Sequence, residues 1–276
     1  MCIRDSYLTA GSIVIDEKTT INGQVWPLNF SRTYSGTQTM RSAMVNSLNT
    51  CAVKIWLQVG KDYSVEMLKK FGITTLVEEG DANDLNASAL ALGGMTKGTT
   101  TLEMASAFST FPNNGVRYDT SSFTKVVDKQ GNVILENKPK EHKVLDEGVA
   151  WIMADMLSSV VNSAAANYAQ ISGVFVGGKT GTTNRNSDAW FIGFTPQLVS
   201  GCWVGGDDRD IHFDSTSMGQ GATMALPIWA YFMKKVYADK ALGYDINATF
   251  DLPANFDPCY NSEQGYDEFG IDEVYE

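Results

Sequence analysis

Gly177-Gly178-Lys179-Thr180-Gly181-Thr182-Thr183 is the stretch on which the fold turns. It holds a lysine, three hydroxyls and three glycines in seven residues, with apolar text on both sides: Val174-Phe175-Val176 before, Trp190 to Phe194 after. Glycines let another molecule approach the backbone closely. The lysine supplies a fixed positive charge and the threonines supply hydroxyl donors. An edge strand with this composition can hold an anionic, peptide-like ligand by backbone pairing and a carboxylate clamp.

The same text also spells a phosphate loop, since Gly173 to Thr180 satisfies G-x-x-x-x-G-K-[ST]. That motif works only when a buried strand precedes the loop and a helix opens directly after the lysine. Asn167-Tyr168-Ala169-Gln170 makes a poor buried strand, and Thr180 to Ser187 is rich in Thr, Gly, Asn and Ser, which resist helix. The nucleotide reading fails on context.

Strand, short polar turn and second strand is the context of the Lys-Thr-Gly element of serine penicillin-recognising enzymes. The text from Lys179 to Pro196, then Leu198 to Gly205 and Asp207-Asp208, closely resembles the transpeptidase domain of bifunctional (class A) penicillin-binding proteins. A second stretch agrees. Ser47-Leu48-Asn49, inside Arg41 to Val53 and between two predicted helices, looks like the family's Ser-x-Asn motif, 132 residues before Lys179. An isolated Ser-x-Asn would signify only helix capping; with both motifs in one chain the functional reading prevails.

The resemblance implies an α+β fold: an antiparallel β-sheet flanked by helices with a helical subdomain, serine β-lactamase/transpeptidase-like. It also implies roles. Ser47 relays protons between the nucleophile and Lys179, and Asn49 holds the substrate's peptide group. Lys179 keeps the site electropositive, Thr180 and Thr182 bind the ligand carboxylate, Gly181 permits close approach, and the Thr182 amide donates to the oxyanion. The family's nucleophile motif, Ser-x-x-Lys at a helix start, is expected a few tens of residues before Ser47 and so outside this chain. Ser122-Phe123-Thr124-Lys125 spells it, but in extended text, where Ser and Lys cannot share one helical face. The implied function is D,D-transpeptidation in the parent protein, with peptidoglycan stem peptides as substrates and β-lactams as mimics, and no cofactor. A non-catalytic β-lactam or muropeptide sensor is the alternative. A β-lactamase is a further one, but lacks a good candidate carboxylate to activate a deacylating water. The family also implies a glycosyltransferase domain, a membrane anchor and the outer face of the cytoplasmic membrane, none of which these residues display.

The 276 residues suffice for one large core, and 43% hydrophobic with 19% charged residues is ordinary globular composition. The net charge of −11 is concentrated in residues 251–276, which hold eight acids and no lysine or arginine. The rest of the chain is therefore only mildly acidic, which argues against nucleic acid, a partner that wants a basic face. No apolar run reaches the ~20 residues of a bilayer span, and the opening residues lack the basic region and apolar core expected of a signal peptide. Four scattered cysteines, Cys2, Cys51, Cys202 and Cys259, do not form a zinc pattern; Cys51 and Cys202 lie in apolar text and read as buried small hydrophobes. Residues 1–6 read as a non-native leader, 7–242 as a partial penicillin-binding transpeptidase domain and 243–276 as an acidic C-terminal tail.

Along the chain, helices are predicted over 40–46, 50–59 closed by Gly60, 64–71 closed by Gly72, 146–162 and 226–237. Thr100-Thr101-Leu102-Glu103 is a capping box opening a helix through Phe111. Phe123 to Asp128 and Val133 to Leu135 form a hairpin. Strands follow around 174–182, 189–194 and 198–204.

Overall fold

The computed structural model describes residues 8–21, 23–250 and 252–254. The expected leader, most of the acidic tail, Cys2 and Cys259 lie outside the described residues. The chain opens with strands β1 (Ile13–Asp16), β2 (Thr20–Ile21), β3 (Gln24–Val25) and β4 (Gly36–Thr39), β1 pairing antiparallel with β4 from Ile13 opposite Thr39. Helices α1 (Met40–Val45), α2 (Asn49–Val59), α3 (Lys61–Lys70), α4 (Ala87–Leu90) and α5 (Thr101–Ser109) follow. Short strands β5 (Val116–Tyr118) and β8 (Glu141–Lys143) pair around the hairpin β6 (Lys125–Val127) and β7 (Val133–Glu136). Helix α6 (Glu147–Val161) leads to β9 (Gly177–Thr182), β10 (Asp188–Phe194) and β11 (Val199–Gly205), then α7 (Thr216–Gly219) and α8 (Ala225–Ala238).

The main sheet is antiparallel, in the order β11-β10-β9, with β9 at one edge. Side chains alternate across a strand, so β10 feeds two cores. Phe191 faces α8 and meets Trp229 edge-on, ring centroids 5.1 Å apart. Phe194 faces the other way, onto Ala154 and Leu157 of α6 and the ring of Phe111. Both phenylalanines and Trp229 are buried. Helix α6 carries the apolar stripe expected of it, with Ile152, Met153, Met156, Leu157 and Val160 buried.

The structure differs from expectation at several edges. Val174-Phe175-Val176 is not strand: Ile171 and Val174 form an isolated bridge about the turn at Gly173 (φ +78°), and β9 begins only at Gly177. Helix α3 starts at Lys61 rather than Ser64, whose hydroxyl instead donates to the Gly60 carbonyl one turn back. Helix α5 stops at Ser109, short of Phe111. Cys51 is fully buried, its thiol pushed up to about 11 by burial, whereas Cys202 is only half-buried. Ser122 and Lys125 lie in exposed non-helical chain, as expected of a chance match.

The capping box is complete. Thr100 Oγ1 accepts from the Glu103 amide at 3.1 Å, and Glu103 Oε2 accepts from the Thr100 amide at 3.0 Å. The other Glu103 oxygen takes the amide and hydroxyl of Thr74, joining α5 to the chain beyond α3. Thr100→Ala is therefore expected to cost about 1 kcal/mol in urea unfolding, with Thr100→Ser nearly neutral.

Candidate active site

Ser47 owes its place to the way α1 ends. The Leu48 amide donates to the Ala43 carbonyl at 3.0 Å and the Ser47 amide to the Met44 carbonyl at 3.2 Å. This is the paired bonding of a Schellman turn, and Leu48 packs against Ala43 as such turns favour. The turn requires a left-handed residue, ordinarily glycine; here it is Ser47 at φ +50°. A side chain in that region costs roughly 1 kcal/mol, so the hydroxyl is held at some expense to stability. Ser47→Gly is expected to stabilise the fold by about 0.5–1 kcal/mol while removing the hydroxyl. A thermal midpoint below that of the wild type would contradict this account of the turn.

Helix α1 reaches the sheet through α6. Met40 packs with Ile152 and Met156, and Met44 reaches the cluster of Ala154, Leu157 and Phe194. Arg41 forms an ion pair with Asp155 and donates to Ser159 Oγ at 2.7 Å. Since α6 also packs along β9, the end of α1 arrives at the edge strand. There the Lys179 ammonium donates to Ser47 Oγ and, at 3.1 Å, to the Thr180 carbonyl. Burial of the ammonium lowers its pKa from 10.5 to about 8, because desolvation penalises the charged form. Among the described residues Lys179 has no carboxylate partner to offset that loss.

Lys179 and Gly181 lie opposite Ile192 and Trp190 of β10, hence on the sheet face toward α5 and α6. Thr180 and Thr182 lie opposite Phe191 and Ala189, on the alternate face. The Thr182 hydroxyl accepts from the Gly221 amide at 3.0 Å. Asn49, the first residue of α2, donates from Nδ2 to the Leu28 carbonyl at 2.9 Å. The structure thus brings Ser47 and Lys179 into contact and sets Gly181 beside them. Thr180 and Thr182 sit on the other side of the same edge strand, and Asn49 is tied to the loop before β4.

Two supporting residues escaped the sequence reading. Asp188 closes the β9–β10 turn: its carboxylate accepts from Thr183 Oγ1 at 2.8 Å and from the Trp203 indole at 2.9 Å. Gly221 presses on the strand so closely that a Cβ would lie 2.5 Å from the Gly181 carbonyl oxygen and 2.4 Å from that of Trp190. The cluster Gly219-Gln220-Gly221 before α8 was the available signal for such an approach.

Residues 7–201 match the penicillin binding protein transpeptidase domain. Penicillin-binding protein 1A of Aquifex aeolicus is 36% identical over 218 residues, covering 78% of this chain and 28% of that protein. That of Neisseria meningitidis is 32% identical over 240 residues, covering 82% and 29%. Among solved structures, the PonA1 protein of Mycobacterium tuberculosis in complex with penicillin V superimposes with a TM-score of 0.74 at 24% identity, over 90% of this chain and 67% of that one. Penicillin-binding protein 1A of Haemophilus influenzae gives 0.71 at 24% identity, over 84% and 40%. The chain spans less than a third of the length of these curated relatives. Among the described residues no helix is long and apolar enough to cross a membrane. With Ser47 bonded to Lys179 of the edge strand, and residues 7–201 matched by the family, the chain belongs to the penicillin-binding protein transpeptidase family.

Proposed function

We propose that these residues form one wall of a serine D,D-transpeptidase site that cross-links peptidoglycan, with the serine nucleophile supplied by sequence outside this chain. The observation that carries the proposal is the Lys179–Ser47 hydrogen bond, made between residues 132 apart. In acyl transfer the nucleophilic serine oxygen bonds to the carbonyl carbon of the penultimate D-alanine, and the bond to the terminal D-alanine breaks. The leaving amine needs a proton. Ser47 Oγ, held by the Lys179 ammonium, is placed to pass one on, and a lysine with a pKa near 8 donates and recovers a proton near neutral pH. An acceptor amine then attacks the ester and the serine leaves. Thr180 and Thr182 hold the donor's terminal carboxylate, the Thr182 amide donates to the developing oxyanion, and Asn49 holds the substrate's peptide group. Penicillins enter as mimics of the donor. The setting is the bacterial cell envelope, outside the cytoplasmic membrane.

Intact-mass measurement after incubation with a penicillin tests this. The full-length protein carrying these residues is expected to gain one acyl adduct that maps outside them, and this chain alone to gain none. A stoichiometric adduct on this chain would overturn the placement of the nucleophile. A full-length protein that binds penicillin without ever forming an adduct would overturn transpeptidation in favour of sensing.

A further inference from the structure

The described residues include a fully buried carboxylate for which the acyl-transfer scheme has no use, Asp16 at the end of β1. It makes no ion pair among the described residues. The nearby Lys54 ammonium is engaged with the Ile15 carbonyl at 3.0 Å and with Glu17 at 2.6 Å. Asp16 instead takes three donors: Asn29 Nδ2 at 2.6 Å and Thr50 Oγ1 at 2.5 Å on one oxygen, and the Ser35 amide at 2.8 Å on the other. Burial pushes its pKa up, and these hydrogen bonds outweigh it, holding the carboxyl below the ordinary carboxylate range. The group is therefore a charged hub that takes its donors from two separate segments.

Those two segments grip one residue. Thr50 follows Asn49 in the first turn of α2, and its backbone amide donates to Asn29 Oδ1 at 3.4 Å. Asn29 follows Leu28, whose carbonyl receives the Asn49 side chain. Asn49 is thus held through its side chain by one segment and through its backbone by the other, and both converge on the same carboxylate. We propose that Asp16 is a positioning residue of the site, fixing where Asn49 stands relative to the Ser47–Lys179 pair. The proposal rests on the transpeptidase reading above. An amide at position 16 would present a donor where Ser35, Asn29 or Thr50 already donates, leaving a buried donor unpaired. The first turn of α2 and the Leu28 loop would then lose their common anchor.

The test measures the second-order rate of penicillin acylation in the full-length protein, corrected for the fraction of sites that titrate. Asp16→Asn and the near-isosteric Thr50→Val are each expected to lower that rate about 10- to 100-fold, on the scale of a small misplacement in an active site. Thr50→Ser, which keeps the hydroxyl, is expected to stay within about threefold. In an Asn49→Ala background, Asp16→Asn is expected to add less than about twofold, because its effect runs through Asn49. Asp84 supplies the control. It is equally buried and binds Val77 and Thr96 away from these motifs, so Asp84→Asn should lower the thermal midpoint without changing the corrected rate. A wild-type rate in folded Thr50→Val and Asp16→Asn proteins overturns the proposal, as does an undiminished effect in the Asn49→Ala background. If the wild type is never acylated, the transpeptidase reading falls instead. The positioning claim is then read from the Asn49 side-chain amide signals of this chain by NMR, which must shift in Thr50→Val and not in Asp84→Asn.

Discussion

Lys179→Met is expected to raise the stability of the domain while sharply slowing acylation of the full-length protein. The two effects have one cause. Burial holds the ammonium at a pKa of about 8 against 10.5 in the open chain, a difference worth on the order of 3 kcal/mol. The sign follows from proton counting: between pH 8 and 10.5 the unfolded chain binds more protons than the folded one, so stability rises with pH across that window. Below pH 8 the penalty is present in full. Methionine fills similar space without charge, so at pH 7 a gain of roughly 1–3 kcal/mol is expected, the lower figure if solvent around the half-buried side chain screens the penalty. The rise in stability from pH 8 to 10.5 should also flatten. Ser47 is exposed and can turn its hydroxyl to water, so it adds little cost of its own. Acylation should fall by about 10²–10⁴, the usual contribution of a positioned proton-transfer group. Paired chemical denaturation at pH 7 and pH 10 would check the first claim. A destabilised Lys179→Met protein would show that the lysine's bonds to Ser47 and Thr180 outweigh its desolvation.

Gly221→Ala is expected to be the most damaging single-methyl change near the site. The atoms that a Cβ would strike are the main-chain oxygens of Trp190 and Gly181, with the Gly181 nitrogen 3.2 Å away. Backbone in a paired hairpin cannot swing aside as a side chain can. The segment before α8 must retreat from β9, and the Gly221 amide then loses the Thr182 hydroxyl. Overpacking of this kind typically costs 1–3 kcal/mol, and the lost hydrogen bond about 1 more. A drop of roughly 2–4 kcal/mol in urea unfolding is expected, with acylation of the full-length protein reduced at least about tenfold because the strand moves where the ligand would lie. A variant within 0.5 kcal/mol of the wild type would mean that the loop and hairpin part at little cost.

What could be read from the chain divides along a physical line. The apolar run from Trp190 to Phe194, the helical spacing from Ile152 to Val160 and the pairing of Thr100 with Glu103 each express a pattern or cap confined to one element. They placed β10, α6 and the start of α5 to within a residue or two. The same locality excluded a phosphate loop, since Lys179 continues in strand to Thr182 and no helix opens there. Both motifs of the site were visible as text, though Val174 to Val176 failed as strand because the turn at Gly173 sets the backbone that follows it.

The meeting of those motifs was a different matter. Ser47 touches Lys179 only because Arg41 and Met44 seat α1 on α6 and α6 lies along β9. Asp16 reaches Thr50 across 34 positions, and Gly221 reaches Thr182 across 39. Such bonds depend on how rigid elements stack and on which residue each turn leaves facing inward. Sequence alone determined the elements and the chemistry they carry, because propensity, periodicity and capping act within a few residues. Tertiary structure decided which groups share a site, because a hydrogen bond between distant residues forms only where packing of the intervening elements has already brought donor and acceptor within about 3 Å.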